Sequence, residues 1–223
     1  MAKLIGIYGE PGSGKSTSLR NLPPDQTFYV DADGKGLNWK GWRKQYSAEK
    51  KNYCRTSYPQ TVISLLQKMD DYKDEKGNVT KGHKEFKYFV VDTVGNLMVS
   101  DEMRRIKEKG YDKWADLAAC IWALVDMPSS LRDDLTVILL FHAQTETTDD
   151  GYRFTRIKTN GRKTEKNSID SKFNWLLRTI KMDDDYFFEV TANESTSRTP
   201  LDAFSDKYVP NDIMEVLKVV EEY

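Results

Sequence analysis

The residues best suited to chemistry lie near the start of the chain, in the stretch GEPGSGKS at positions 9 to 16. This stretch fits the pattern G-x-x-x-x-G-K-[ST] through Gly9, Gly14, Lys15 and Ser16. Glycines let successive backbone N–H groups point into one concavity, which suits a chain of phosphates. We expect Lys15 to reach the β- and γ-phosphates and the Ser16 hydroxyl to bind Mg²⁺. The spacing therefore predicts a site for ATP and Mg²⁺.

The segments around this loop fit the same prediction. The apolar run LIGIY at 4–8 indicates a strand, and STSLRNL at 16–22 indicates a short helix that Pro23 and Pro24 end. The positive end of such a helix attracts phosphate. The residues expected to contact the nucleotide are Gly9, Glu10, Pro11, Gly12, Ser13, Gly14, Lys15, Ser16 and Thr17.

A second metal ligand is predicted at the end of another apolar strand, KYFVVDT at 87–93. Asp92 closes this strand as a Walker B aspartate does, and we expect it to bind Mg²⁺ together with Ser16. The alternative is an aspartate that only ends a buried strand. The residue after Asp92 is Thr93 rather than glutamate, so the sequence disfavours the AAA+ type, which has an Asp-Glu pair.

Hydrolysis also requires a group that orients the attacking water. The strand TFYVDAD at 27–33 ends in two carboxylates. In an open parallel sheet, the carboxyl end of this strand faces the same crevice as the phosphate loop. We therefore expect Asp33 to polarise the water, with Asp31 as the second choice. The alternative is a pair of aspartates that cap a loop.

The most apolar strand, LTVILLFHAQ at 135–144, brings two more polar side chains to this crevice. Gln144 is expected to sense the γ-phosphate through a hydrogen bond. His142 receives less weight, because a histidine at such a position is more often structural. The predicted catalytic set is Lys15, Asp33, Asp92 and Gln144.

Apolar runs and helical patterns alternate along the rest of the chain. Continuous apolar strands separated by helices are typical of a parallel sheet covered on both faces. The predicted fold class is therefore α/β: a mostly parallel, twisted sheet with helices on both faces. With no internal repeat and no linker composition, we expect a single domain over 1–223, with a basic hairpin or loop insertion near 145–170. The further predicted elements are a strand at 52–56, a helix from 61, a loop or hairpin at 70–87, a helix at 114–125, strands at 152–159 and 186–192, and a C-terminal helix from 210.

Composition limits the other function classes. The chain has 223 residues and a net charge of −1, so any nucleic-acid binding must come from local patches. No apolar run approaches the roughly 20 residues that cross a bilayer, and the N-terminus does not resemble a signal peptide. Cys54 and Cys120 are too few for a disulfide framework. We expect a cytoplasmic protein without a membrane partner.

Two basic segments are candidates for nucleic-acid binding. Segment 35–55 interleaves cationic residues with Trp39 and Trp42, and bases stack on aromatic rings in single-strand sites. The alternative for segment 35–55 is a solvated helix with its aromatics tucked into the core, and the alternative for the segment after Gln144 is a polar surface hairpin. Both interpretations stay open. The segment after Gln144 carries the cationic residues Arg153, Arg156, Lys158, Arg162, Lys163 and Lys166.

These motifs resemble the RecA-like P-loop ATPase core. GEPGSGKS is similar to its Walker A motif and YFVVDT to its Walker B motif. YVDAD is similar to the segment with the catalytic carboxylate, and FHAQT to the segment with the γ-phosphate-sensing glutamine. The run RTPLDAFSDKYVPND at 198–212 is similar to phage-encoded P-loop nucleotide-binding proteins of single-strand annealing and recombination.

The resemblance implies an ATPase that binds single-stranded DNA in phage recombination, annealing or replication, in the cytoplasm of a bacterial host. Because Asp33 stands where RecA has glutamate, hydrolysis is expected to be slow or DNA-stimulated. The loop after Gln144 is expected to contact DNA. The alternative function is a nucleotide or nucleoside kinase, since adenylate-kinase-type loops also fit G-x-P-G-S-G-K.

The resemblance also implies partners. RecA-like proteins often form rings or filaments and complete their sites with a basic residue from a neighbouring subunit. Arg198, just past the strand YFFEVTAN, is the candidate for that role, and we expect it to emerge near a sheet end. The alternative is an exposed loop arginine. A phage or host single-strand-binding protein is a further expected partner.

Overall fold

The computed structural model describes residues 1–74, 76–108, 112–159 and 169–223. The strands are β1 (Lys3–Gly9), β2 (Thr27–Asp31), β3 (Tyr53–Arg55), β4 (Tyr72–Lys73), β5 (Val79–Thr80), β6 (Tyr88–Asp92), β7 (Thr136–Thr147), β8 (Arg153–Ile157), β9 (Trp175–Met182), β10 (Asp185–Glu189) and β11 (Tyr208–Pro210). The α-helices are α1 (Trp42–Gln45), α2 (Pro59–Gln67), α3 (Val94–Arg104), α4 (Asp112–Asp126) and α5 (Ile213–Val220), and 3₁₀ helices cover Thr17–Leu19, Met127–Ser130 and Ile169–Lys172.

A nine-stranded sheet organises the molecule. Its order is β11-β10-β9-β1-β7-β6-β2-β3, and β8 pairs with β7 outside this path. The six strands from β9 to β3 are parallel, whereas β8, β10 and β11 join in antiparallel fashion. The small β4–β5 hairpin stands apart from the sheet. The prediction of a mostly parallel sheet is therefore confirmed.

Alternate side chains of the central strands pack into two hydrophobic cores. On one face, Val91 of β6 and Leu139 of β7 lie among buried residues of α2, α3 and α4. On the other face, Val90 and Leu140 lie among buried residues of α5. Because neighbouring residues of a strand point to opposite faces, a continuous apolar run serves both cores. The prediction of helices on both faces is confirmed.

Strand β7 lies between β1 and β6 and is longer than both. Gly9 at the end of β1 is in register with His142, and β7 continues to Thr147. The extra length forms an antiparallel hairpin with β8. Arg162 and Lys163 lie outside the described residues. The topology thus joins the phosphate loop to the hairpin through one strand.

Several elements differ from the sequence-based expectations. The helix expected to run to about Leu22 is only a 3₁₀ turn at Thr17–Leu19, because serine, threonine and asparagine are weak helix formers and Pro23 follows closely. Strand β9 and helix α3 were not predicted. None of the helices within the described ranges has both the length and the apolar content needed to span a bilayer.

Candidate nucleotide site

A cleft of about 310 Å³ opens at the carboxyl edge of the parallel strands. It brings the phosphate loop together with residues that follow β2 and β6 and with one residue from β7. This convergence follows from the topology, because the carboxyl ends of parallel strands meet at one edge. The cleft is lined by Pro11, Gly12, Gly14, Lys15, Ser16, Thr17, Asp33, Lys35, Asn38, Asp92, Thr93, His142 and Tyr186.

The phosphate loop requires glycine at some positions because of the backbone angle and at another because of a close contact. Gly12 and Gly14 have φ angles of 78° and 95°, which side chains rarely adopt. A Cβ on Gly9 would lie 2.1 Å from the Thr179 hydroxyl oxygen on β9. Ser13 Oγ lies 2.6 Å from the same Thr179 oxygen. The loop is therefore anchored to the neighbouring strand as well as to β1.

Lys15 lies at the centre of the loop. Its side chain is buried, and its ammonium donates hydrogen bonds to the carbonyl oxygens of Gly9 at 2.9 Å and Glu10 at 2.8 Å. Burial lowers the pKa of Lys15 to about 8, although the nearby Asp92 opposes this effect. The ammonium is still mainly protonated at neutral pH, and an incoming phosphate would replace its carbonyl partners with stronger, charged ones.

Asp92 and Ser16 meet in the same cleft. Asp92 is 6% exposed, and the Ser16 hydroxyl and the Tyr29 hydroxyl both hydrogen-bond its carboxylate, the latter at 2.8 Å. Burial raises the pKa of Asp92. A hydroxyl and a carboxylate oxygen are ligands that suit Mg²⁺, which usually keeps several waters and takes substrate phosphates as further ligands. The residues present therefore fit a phosphate-bound magnesium ion.

The wider donor set agrees with this kind of metal site. In the described ranges, no group of three or more histidine, cysteine, aspartate or glutamate side chains is arranged to hold a metal by itself. Mg²⁺ does not need such a cage when a nucleotide supplies oxygens. The structure places both predicted ligands in contact.

Asp33 faces the cleft as an ionised carboxylate. Burial raises its pKa, but the hydrogen bonds from Lys35 and Thr93 outweigh burial and the net shift is downward. Lys35 Nζ lies 2.5 Å from the carboxylate, and Thr93 Oγ1 donates to it at 2.9 Å. A carboxylate that stays ionised can accept a hydrogen bond from a water molecule.

Asp31 has a different environment from Asp33. Its carboxylate accepts hydrogen bonds from the backbone amides of Gly34 and Gly36 and from the hydroxyl of Tyr53. It is buried and does not line the cleft. Asp31 therefore closes the loop after β2, which is the capping role considered for this pair.

The residue of β7 that lines the cleft is His142, not Gln144 as expected. His142 lines the cleft, and burial together with the neighbouring Lys15 lowers its pKa, so its ring is neutral at pH 7. Gln144 is two residues further along the same face of β7, beyond the cleft, because a strand advances about 3.3 Å per residue. Its amide donates to Glu146 at 3.0 Å.

A second cavity of about 370 Å³ adjoins the first. Asp33, Lys35 and His142 line both cavities. Lys158, just after β8, lines the second cavity with its exposed side chain, and its amide donates to the His142 carbonyl at 2.7 Å. A predicted DNA-binding lysine is therefore next to the predicted γ-phosphate position.

Arg156, Trp39 and Trp42, which were also predicted to bind nucleic acid, are engaged in protein contacts. Arg156 forms an ion pair with Glu146 at 2.6 Å. Trp39 packs edge-on against Tyr29, and Trp42 packs against Tyr53. Both tryptophans are half-buried against the core, which agrees with the alternative of aromatics tucked into the fold.

Arg198 lies away from the cleft of its own chain. It pairs through its backbone with Leu176, whereas the phosphate-loop end of β1 is in register with Thr179, further along β9. Its side chain is exposed. Burial raises the pKa of the nearby Asp170, and the charge of Arg198 opposes this effect. The expectation that Arg198 serves the site of a neighbouring subunit stays a prediction.

The sequence analysis missed several residues of the site. Tyr29 does not line the cleft but hydrogen-bonds Asp92 from inside an apolar strand, where its hydroxyl carries no visible signal. Lys35 and Asn38 line the cleft from the segment after β2, where Lys35 is one cation among several. Tyr186 is the second residue of β10, and its position beside the loop depends on the strand β9, which was also missed.

Comparison with protein families identifies a family for this chain. A family model described as "AAA domain" matches residues 1–202. No curated protein matches the chain. The prediction that Thr93 after Asp92 disfavours the AAA type is therefore wrong. The structure offers a reason: the second carboxylate of the cleft is Asp33, which comes from the neighbouring strand and accepts a hydrogen bond from Thr93.

Proposed function

The chain belongs to the AAA domain family, whose members are nucleotide-binding ATPases, and we propose that it hydrolyses ATP in response to single-stranded DNA. One observation carries this proposal. Lys15, Asp33 and Asp92, which are distant in sequence, line one cleft of about 310 Å³ at the carboxyl edge of the sheet.

Each residue has a task that its surroundings support. The Lys15 ammonium binds the β- and γ-phosphates, and the loop amides surround them. The neutral His142 ring donates a hydrogen bond to the γ-phosphate. The ionised Asp33 orients the attacking water in line with the bond that breaks. Lys35 and Thr93 hold Asp33 in place.

Magnesium fits beside these groups. Ser16 and Asp92 would hold the ion, and Tyr29 fixes the orientation of the Asp92 carboxylate. When bound, Mg²⁺ neutralises charge on the phosphate oxygens.

The DNA part of the proposal rests on the β7–β8 hairpin. Lys158 and Arg153 are exposed cationic residues on or next to it, and Lys158 is bonded to the strand that carries His142. We place this activity in phage recombination, annealing or replication within a bacterial cytoplasm, with a single-strand-binding protein as partner. ATP and DNA then bind cooperatively, because ordering the hairpin for one ligand lowers the cost for the other.

Phosphate release with and without a single-stranded oligonucleotide tests the proposal. We expect DNA to increase the rate, and Lys15→Ala to weaken ATP binding tenfold or more, since it removes a charge-assisted contact of about 1.5–3 kcal/mol. The exposed Lys44, which lies outside the cleft, provides a matched Lys44→Ala control with parental affinity.

Two results would count against this function. Equal ATP affinity for Lys15→Ala and the parent would remove the phosphate-loop assignment. Transfer of the γ-phosphate to a nucleoside monophosphate, without phosphate release, would show that the protein is a kinase instead. Fluorescence anisotropy of a labelled oligonucleotide across a salt series reports the DNA contact, and each lost phosphate contact lowers the slope by about 0.7.

We also propose that the protein works as a homo-oligomer. The exposed Arg198, which does not face its own cleft, is available to a neighbouring subunit. Mixing Arg198→Ala with Lys15→Ala protein restores ATPase activity if subunits share sites. No recovery at any ratio assigns Arg198 to its own subunit, where its charge lies beside Asp170.

A further inference from the structure

One corner of the cleft is not used by the phosphates, the metal or the water. Gly14 and Tyr186 line it, and the side chain of Asn211 lies beside Gly14. The Tyr186 ring lines the cleft although the residue is 41% exposed. Its Cδ1 atom lies 3.0 Å from the position that a Cβ on Gly14 would take. An aromatic side chain is therefore held against the phosphate loop with part of its surface open.

The fold fixes this aromatic ring relative to the loop. The Asn211 backbone amide donates to the Tyr186 carbonyl at 3.2 Å where β10 and β11 end their pairing. The Arg20 guanidinium donates to the carbonyl oxygens of Thr17 and Asn211, both at 3.0 Å. The turn after the phosphate loop is thus tied to the strand end that carries Tyr186.

A buried amide provides the second observation. Asn211 is 7% exposed, and its Nδ2 atom has no hydrogen-bond partner within the described ranges. Its Oδ1 atom lies 3.0 Å from the same Cβ position on Gly14. Buried side-chain donors are nearly always paired, so an unpaired donor beside a ligand-binding loop indicates that a ligand supplies the acceptor.

We propose that this corner is the subsite for the nucleobase of the triphosphate, with the base stacked on Tyr186 and Asn211 as an adjacent donor. The proposal rests on the proposed function, because the phosphates must occupy the loop. Stacking depends on the π-face that every base has. A nucleoside triphosphate therefore gains affinity from Tyr186 that a bare chain of phosphates does not gain.

Equilibrium titration with ATP and with inorganic tripolyphosphate, both with Mg²⁺, separates the base from the phosphates. We expect Tyr186→Ala to weaken ATP binding about 5- to 150-fold, the range that one stacked base contributes. Tripolyphosphate affinity stays unchanged, and Tyr186→Phe keeps most of the ATP affinity. Tyr152, which is 50% exposed and does not line the cleft, provides the matched control Tyr152→Ala.

Each other outcome overturns the subsite. Parental ATP affinity in Tyr186→Ala shows that the base binds elsewhere. An equal loss for ATP and tripolyphosphate shows that Tyr186 supports the loop rather than the base. If the parent binds neither ATP nor tripolyphosphate, the proposed function fails together with the subsite. If the parent binds both compounds but Tyr186→Ala has the parental ATP affinity, only the subsite fails.

Discussion

At the residue scale, two carboxylates two positions apart have different roles. Asp31 accepts hydrogen bonds from Gly34, Gly36 and Tyr53 and is buried in the loop. Asp33 faces the cleft. The sequence could not separate them, because both follow the same strand and both have the same charge. The difference arises because the backbone amides of the turn after β2 hydrogen-bond to Asp31 and not to Asp33.

This difference gives a paired prediction. Asp33→Asn retains ATP binding and lowers the rate of phosphate release by about 10²–10⁴-fold, the usual effect of losing a general base. Asp31→Asn removes the same charge but weakens the loop, so it lowers the free energy of unfolding by about 1–3 kcal/mol. ATP titration, phosphate release and urea denaturation measure the three quantities.

The pair also provides its own control. If Asp33→Asn has the parental rate, the water is oriented by another group, and His142 is the next candidate because it lines the same cleft. If Asp31→Asn loses activity without losing stability, the assignment of the two carboxylates is reversed.

At the scale of the elements, continuous apolar runs made much of the fold predictable. β1, β2, β6 and β7 serve two cores at once, so each contains a run of consecutive apolar residues. Their carboxyl ends then had to meet at one edge, which placed the loop, Asp33 and Asp92 in a single cleft. These were the parts of the site that the sequence predicted.

Strand β9 shows why the rest was not predicted. Its first three residues are buried, but Arg178 and Lys181 interrupt the apolar pattern. Arg178 lies 3.6 Å from the buried Glu189 of β10. The Glu189 carboxylate balances its charge, but the sequence alone does not show that β10 lies beside β9. Without β9, Thr179 and Tyr186 could not be assigned to the loop.

Strand β7 gives a prediction about coupling. His142 lines the cleft, and its carbonyl accepts a hydrogen bond from Lys158 of the hairpin segment. We expect His142→Ala to abolish the increase in DNA affinity that a non-hydrolysable ATP analogue produces, an effect usually of 5–150-fold. Gln144→Ala is the matched control and keeps the increase, because Gln144 does not line either cavity.

Anisotropy titrations with and without the analogue measure this coupling. An equal loss in both variants would show that the length of β7, rather than the His142 side chain, transmits the effect. An unchanged coupling in His142→Ala would assign the γ-phosphate contact to another residue.

At the scale of the whole molecule, one buried carboxyl group lies between the hairpin and the sheet. Asp170 belongs to the 3₁₀ helix that precedes β9 and is 5% exposed. Burial raises its pKa from 3.8 to about 6, although Arg198 and Arg156 oppose this effect. Its Oδ1 atom has no hydrogen-bond partner within the described ranges. The folded protein therefore retains a proton that the unfolded chain releases.

The sign of the pH dependence follows from this difference. Between about pH 4 and pH 6, the folded state binds more protons at Asp170 than the unfolded state does. The contribution of Asp170 to stability is therefore complete below this range and declines as the pH rises through it, by about 1.4 kcal/mol per pH unit. Asp170→Asn removes this decline, so the variant gains stability relative to the parent as the pH rises, by up to about 3 kcal/mol above pH 6.

Urea denaturation of parent and variant between pH 4 and pH 8 measures the difference directly, because the other carboxylates contribute equally to both proteins. Asp184→Asn serves as the matched control, since the Asp184 side chain is fully exposed. Parallel curves for Asp170→Asn and the parent would show that Asp170 ionises in the folded protein with its ordinary pKa. A difference that grows from pH 4 to pH 6 and then stays constant would assign the proton to this group.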